Sequence, residues 1–388
     1  MKQIFITKDT AGQRLDKLLH RYMKEAPKGF LYKMLRKKNI TLNGKKAEGK
    51  ELLQPGDEIR LFISDETWEK FGGIRSAAFG LPQAAGGHGA AVSRYCAAED
   101  GKSEDGRSED SKSEAGKSVE SMAGMPSQHD RISLISTVGS RKVPALVPGV
   151  RPPEIVYQDE HLLLFNKPAG MLSQKAKTED VSLMEYLQAY LLSTGCLDEE
   201  QMRLVRPSIC NRLDRNTSGL LAAGISLAGL QTLNRLFRER SVRKFYRCIV
   251  CGTMTGEDHL RGFLTKNIRT NTVEISTNTA KGAKPIETAY HVLSTSNGLS
   301  LLEVHLITGR SHQIRAHLAS IGHPILGDPK YGNSTLNREY LHSHGVRSQL
   351  LHAYRMEFPE VEGRLSYLSG QQFIAPEPEL FGHVFVHS

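Results

Sequence analysis

Between residues 64 and 150 the chain contains nothing from which a core could be built. Gly, Ala, Ser and charged residues replace periodic apolar ones, and Lys102 to Ser121 runs K-S-E-D-G, R-S-E-D-S, K-S-E-A-G, K-S-V-E-S. Low hydrophobicity with mixed charge cannot offset the entropy lost on ordering, so a disordered linker is predicted. The five-residue period is too short for a solenoid unit. Such a tract can also be a phosphorylated or partner-binding segment, although charged Ser-rich stretches are usually solvated spacers. The consequence for a chain of 388 residues is two folding units, 1–63 and 151–388, each closing its own core.

The first unit is short and basic. Leu15, Leu18, Leu19, Tyr22 and Met23 fall at helical spacing, with Lys17, His20, Arg21 and Lys24 off the stripe, which predicts an amphipathic helix. A second helix is predicted around Phe30 to Lys38, with a strongly basic end. Ile40 and Leu42 then alternate with polar residues up to Asn43-Gly44, a hairpin signal, and Pro55-Gly56-Asp57 turns into a strand from Glu58 to Ile63. These residues hold fifteen Lys and Arg against seven Asp and Glu, nearly all of the net charge of +9. The cations gather at a helix end and a hairpin, where they can meet the phosphates of a nucleic acid.

No run of some eighteen apolar residues is present, and the start M-K-Q-I-F-I-T-K-D lacks the apolar segment of a secretory signal. Neither a membrane span nor export is supported, and a cytoplasmic location follows by default. Five scattered cysteines argue against a disulfide framework and for a reducing compartment. Cys248 and Cys251 form a C-x-x-C, but on a strand they point to opposite faces, and zinc would need two further ligands.

The second unit centres on Asn211 to Leu221, N-R-L-D-R-N-T-S-G-L-L. Asp214 lies between Arg212 and Arg215, whose charge favours its ionised form, and a carboxylate kept ionised can act as a nucleophile. Thr217, Ser218 and Gly219 make a tight turn or a helix entry, with Leu220, Leu221, Ala222 and Ala223 as core behind it. Upstream, the residues from Ile155 to Gly170 read as strand, turn, strand and turn, and Ser182 to Leu192 as a helix. Downstream come a helix from Leu227 to Arg240 and a strand from Lys244 to Val250 that turns Tyr246 the same way as Cys248 and Val250. Strands from Leu299 to Leu306 and over 350–358 flank T-G-R-S-H-Q-I-R-A-H-L-A-S-I-G-H-P-I-L-G-D, Thr308 to Asp328. There Ser311 can cap a helix bearing Ile314, Leu318 and Ile321 on one face, with Arg310 before it and Arg315 in its first turns. His305, His312, His317 and His323 invite a metal reading. It is rejected, because His312 and His317 diverge by about 140° on a helix and no carboxylate cluster accompanies them. No phosphate-cradling glycine motif occurs, so no nucleotide cofactor is expected.

The R-L-D and T-S-G portions of the Asp214 stretch, the Lys244-Phe245-Tyr246 strand and the Thr308 to Asp328 block closely resemble the RluA-type pseudouridine synthases of the ribosomal large-subunit branch. The matches extend over most of residues 151 to 360. Residues 12 to 63 resemble the alpha-L RNA-binding motif shared by a small-subunit ribosomal protein, many such synthases and tyrosyl-tRNA synthetases. The resemblance implies an α+β chain: a small alpha-L domain plus a synthase domain with a mixed, mostly antiparallel sheet and a catalytic cleft. It implies a cofactor-free conversion of uridine to pseudouridine in RNA, ribosomal rather than transfer RNA, by a monomer. Asp214 would be nucleophile or acid/base toward the sugar, Tyr246 would stack on the base, Arg315 would hold Asp214, and Arg212 would fill the gap left by the extruded nucleotide. Arg14, Lys17, Lys33, Arg36, Lys37, Lys38, Lys45, Arg310 and His312 would contact RNA. The family's usual His at the head of the motif is Asn211 here. Two rival readings are a non-catalytic RNA-binding protein, for which Asn211 is the sequence support, and a carboxylate glycosidase, which would need a second carboxyl facing across the bond.

Overall fold

A computed structural model describes residues 1–7, 10–72, 152–267, 269–270, 272–278 and 282–386. Most of the expected linker, with Cys96 and the repeated Ser-rich tract, lies outside the described residues.

The N-terminal unit runs β1 (Lys2–Phe5), α1 (Leu15–Tyr22), α2 (Lys28–Arg36), β2 (Ile40–Leu42), β3 (Lys45–Lys46), β4 (Glu58–Leu61) and α3 (Asp65–Lys70). The stripe of α1 is buried against Leu31 and Leu35 of α2 and Ile4, Ile40, Ile59 and Leu61 of the sheet, whose antiparallel order is β1-β4-β2-β3. Asn43 and Gly44 both take positive φ, as a two-residue hairpin turn with the native twist requires. Two elements differ from expectation. β1 adds a strand, and α3 carries the ordered unit to residue 72, past the expected linker start at residue 64. Ser64 caps α3 by accepting from Thr67 N, and Trp68 is buried in the same core, so this stretch has both a local and a tertiary reason to fold.

The second unit opens with the hairpin β5 (Glu154–Gln158) and β6 (Leu162–Lys167), then α4 (Leu183–Ser193), α5 (Glu199–Val205), β7 (Ser208–Ile209) and β8 (Ser218–Gly224). It continues with α6 (Leu227–Glu239), β9 (Arg243–Cys251), β10 (Glu257–Asn267), β11 (Thr272–Ser276), β12 (Lys284–Ser296) and β13 (Leu299–Leu306). It closes with α7 (Gln313–Ser320), α8 (Ser334–His344), β14 (Leu351–Glu357), β15 (Gln372–Ile374) and α9 (Glu379–Val386). The sheet order is β11-β10-β12-β13-β9-β14-β8-β6-β5, with β15 on β14 and β7 on β8. The single parallel pairing among the described strands is β8 on β14, so the sheet is mixed and mostly antiparallel, as expected.

Alternation along the central strands feeds cores on both faces. Tyr246, Cys248 and Val250 of β9 join Leu163, Phe165, Leu221, Leu302 and Val304 under α4 and α7. Ile249 and Cys251 point the other way, toward Leu326, Tyr340 and Phe381, so the two cysteines of the C-x-x-C sit on opposite faces. α4 begins where predicted, with Ser182 and Glu185 forming a capping box. Thr217 to Gly219 prove to be a turn into a strand, since β8 is buried along its whole length between β6 and β14.

The units touch directly. Arg21 Nη1 donates to Leu204 O at 2.6 Å, Gln231 Nε2 donates to Gly12 O at 2.8 Å, and Leu204 of α5 packs on the N-terminal core. Among the described residues no helix is long and apolar enough to cross a membrane.

Candidate active site

The loop that carries Asp214 is fastened before β8 begins. Asn211 Oδ1 accepts from Ala222 N at 2.8 Å, a structural duty for the residue that departs from the family pattern. Ser173 Oγ donates to Leu213 O at 2.8 Å and accepts from Leu213 N at 3.1 Å. Thr217 N closes the turn on Asp214 O at 3.1 Å, and Gly170 N reaches Arg215 O at 3.0 Å. Lys167 is completely buried, and its Nζ donates to Met171 O at 2.8 Å and to Pro168 O and Arg215 O at 3.0 Å. Burial pushes this ammonium down to about 7, opposed by the Asp214 carboxylate. Three carbonyl acceptors match the three N–H bonds of the charged form, which ties the turn after β6 to the Asp214 loop.

Gly219 makes the junction behind the loop possible. Its φ is +107°, and a Cβ there would lie 2.2 Å from Ala353 O of β14. Beside it, Ser218 Oγ and His352 Nδ1 are 2.9 Å apart, and burial pushes His352 down to about 4, so this imidazole is neutral. Gly219→Ala adds left-handed strain to a backbone clash, for an expected loss of about 3 kcal/mol or more in urea unfolding. An unchanged midpoint would mean that β8 and β14 can part without cost.

Opposite the loop stands the start of α7. Ser311 is exposed and does not cap it, which corrects the expectation. The N-cap residue is His312, held at φ 55° with no side-chain cap. Gln313 does the organising: its Oε1 accepts from Thr308 Oγ1 at 2.8 Å and Arg310 N at 3.1 Å, and its Nε2 donates to Thr288 Oγ1 at 2.9 Å and Glu287 O at 3.0 Å. A buried amide that satisfies four partners is a stronger anchor than one exposed hydroxyl. Ile321 is exposed at the helix end instead of completing the apolar face.

Arg315 projects from this helix between two carboxylates. Nε and Nη2 donate to Asp328 at 2.6 and 2.8 Å, and Nη1 donates to Asp214 Oδ2 at 2.9 Å. Burial alone would lower the guanidinium's pKa, but Asp328 and Asp214 outweigh it and the net shift is upward. Burial would likewise raise Asp328, yet the Arg315 hydrogen bonds bring it below its ordinary value. Asp328 thus fixes the planar fork so that Nη1 faces Asp214. Sequence reasoning missed Asp328 as a partner, although it ends the quoted block.

Asp214 lies where two hollows meet. One, of about 520 Å³, is lined by Tyr246, Leu306, Ile314 and Leu351, with Arg238, Arg240, Lys244 and Arg310 around it. The other, of about 430 Å³, has Lys266, Lys330 and Arg215 on its walls. Arg212, Asp214, His312 and Arg315 border both. Tyr246 is buried, and burial together with the Asp214 carboxylate holds its phenol well above the usual range, so it stays neutral. Arg212 is exposed at the rim. Asp214, Tyr246, Arg315 and Arg212 are therefore brought together, with Arg310 and His312 at the same place.

The N-terminal candidates stand elsewhere. Lys17, Lys33, Arg36, Lys37, Lys38 and Lys45 are exposed, and Arg14 is engaged with Asp16 at 2.8 Å.

Residues 161–320 match the model of the RNA pseudouridylate synthase family, and residues 13–59 match the S4 domain. The chain thus carries an RNA pseudouridylate synthase domain behind an S4 domain. It is 26% identical over 357 residues to ribosomal large subunit pseudouridine synthase C of Vibrio cholerae, covering 92% of this chain and 88% of that one. It is 34% identical over 213 residues to ribosomal large subunit pseudouridine synthase D of Zymomonas mobilis, covering 53% and 65%. Human RNA pseudouridylate synthase domain containing 4 superposes with a TM-score of 0.47 at 24% identity, over 59% of this chain and 90% of that one. The synthase match spans β6 through α7, the elements that position both Asp214 and Arg315. The S4 match spans α1, α2 and the β2–β3 hairpin.

Proposed function

We propose that this synthase isomerises uridines of large-subunit ribosomal RNA, with Asp214 as the group that acts on the sugar. The observation that carries the reading is the convergence of Asp214, Tyr246 and Arg315 on one hollow with an apolar floor and a cationic rim. The relatives' names supply the class of RNA. In the reaction the uracil N1 bond to the sugar breaks, the base turns while held, and C5 bonds to the same sugar carbon. The C5 proton leaves and N1 gains one, so nothing is oxidised or reduced. Asp214 serves as nucleophile or acid/base toward the sugar, Tyr246 stacks on the uracil, Arg315 holds and aims the carboxylate, and Arg212 fills the vacated stack. Arg310 and His312 meet RNA at the cleft. Residues 1–72 act as the RNA-binding domain through Arg14, Lys17, Lys33, Arg36, Lys37, Lys38 and Lys45, residues 73–150 as spacer, and residues 151–388 as the catalytic domain of a cytoplasmic monomer.

Mapping pseudouridines in total RNA from cells with and without this gene tests the reading. One or a few positions of large-subunit ribosomal RNA should revert to uridine. Loss confined to transfer RNA, or no loss, would contradict it. The basic domain has its own test. Replacing Lys33, Arg36, Lys37 and Lys38 together by Gln should flatten the salt dependence of RNA binding by about 0.7 to 0.9 in log–log slope per phosphate contact removed. An unchanged slope would give these cations another partner.

A further inference from the structure

Asp214 offers its two oxygens unequally. Oδ2 takes the 2.9 Å hydrogen bond from Arg315 Nη1 and lies 3.9 Å from His312 Nε2, whereas Oδ1 has no hydrogen-bond partner among the described residues. Behind His312 the chain of contacts continues. Its Nδ1 is 2.9 Å from Tyr331 Oη, and Tyr331 Oη accepts from Val273 N at 2.8 Å. Tyr331 N in turn donates to Asp328 Oδ1 at 3.2 Å, so the tyrosine is part of the loop that clamps Arg315. With one lone pair of the phenol oxygen taken by the Val273 N–H, His312 Nδ1 is the acceptor within reach of the phenol proton among the described residues, and donation there would set the ring's tautomer. That places the imidazole hydrogen of the neutral ring on Nε2, the nitrogen facing Asp214.

We propose that His312 is a positioning residue whose tautomer is set by Tyr331, and that its Nε2–H closes onto Asp214 Oδ2 when RNA fills the cleft, leaving Oδ1 as the reacting oxygen. The inference rests on Asp214 being the group that acts on the sugar. At 3.9 Å the contact is too long for a hydrogen bond, and such contacts commonly tighten when substrate binds. Burial holds His312 below its ordinary pKa against the pull of Asp214, with Arg315 and Lys330 adding to the lowering, consistent with a neutral donor.

Two substitutions separate this role from a structural one. Glutamine places an N–H where His312 Nε2 stands, whereas asparagine reaches only the Nδ1 position. Asparagine, however, tolerates the left-handed backbone at residue 312 better than glutamine does. The assay is single-turnover tritium release from a large-subunit ribosomal RNA transcript carrying 5-tritiated uridine, with thermal melts alongside. At saturating RNA, His312→Gln should stay within about tenfold of wild type, while His312→Asn and His312→Ala fall by about a hundredfold. Tyr331→Phe, which leaves residue 312 in place, should slow the wild type but add nothing to His312→Ala. Asparagine equal to or better than glutamine, or a Tyr331→Phe effect undiminished beside His312→Ala, would overturn the proposal. Asp214→Asn in the same assay keeps the two ideas apart, since turnover by that variant removes the premise whatever the His312 series does.

Discussion

Replacing Asp214 with asparagine is expected to abolish pseudouridine formation while leaving folding and RNA affinity almost unchanged. The amide keeps the shape of the carboxylate and still offers an oxygen to Arg315 Nη1, so the ion pair becomes a weaker hydrogen bond. Arg315 meanwhile keeps both bonds to Asp328. What vanishes is the anionic oxygen that the reaction needs. A lost acid/base group costs about 10² to 10⁴ in rate, and a lost nucleophile more. Affinity should hold, because it is assigned to the cationic rim and the basic N-terminal surface. A variant that binds and melts like wild type but turns over slowly therefore isolates the chemistry. Loss of binding in step with turnover would instead make Asp214 part of the RNA contact.

The second large effect is on Arg315, and it extends to stability. The Arg315 side chain is 5% exposed and that of Asp328 is 0% exposed, so Arg315→Met strands a fully enclosed carboxylate. Breaking a buried pair by removing one partner costs about 3 to 5 kcal/mol. The upper part of that range is expected, because Asp214 loses the same cation. The pH dependence has a definite sign. In the wild type the folded-state pKa of Asp328 is depressed, so its contribution is present above the ordinary carboxylate range and is lost as pH falls through the folded value. In Arg315→Met burial is opposed only by the Lys330 and Tyr331 backbone N–H groups, so the pKa of Asp328 moves upward, and the gap between variant and wild type should narrow from pH 7 toward pH 4. Arg315→Lys should recover only part of either property, since one ammonium cannot reproduce a planar fork shared by two carboxylates. Urea melts at the two pH values, with single-turnover rates, check this. Melting of both variants at the wild-type midpoint would show that the clamp contributes nothing.

The elements legible in the sequence were those with local signals. The α1 stripe, the Asn43-Gly44 turn, the helix from Ser182 and the alternation through Tyr246, Cys248 and Val250 each carry their own periodicity or turn chemistry, and each stands in the structure. Family likeness, rather than periodicity, brought Asp214, Tyr246 and Arg315 together on the page. The misses are long-range. Nothing near Lys167 or Gln313 announces that they anchor the site, because the partners that tie them to other elements, Arg215 for Lys167 and Glu287 and Thr288 for Gln313, are distant in the chain. Asp328 was visible as a residue but not as a clamp, since its pairing with Arg315 depends on how the chain folds back after α7. Tyr331 has no local signal, its role being defined by Val273 across the β10–β11 hairpin. That hairpin was itself unread, because most of β10 is exposed and polar and lacks an apolar alternation. Asn211, a puzzle in the sequence, holds the β8 backbone.

The most direct measurement incubates the purified full-length chain, and its Asp214→Asn variant, with unmodified large-subunit ribosomal RNA transcribed with 5-tritiated uridine. Tritium leaves C5 only as the new carbon–sugar bond is completed. The account predicts release equivalent to a small fixed number of uridines with the wild type and none with the variant at equal RNA binding. Release at similar rates by both proteins, or by neither, would contradict it.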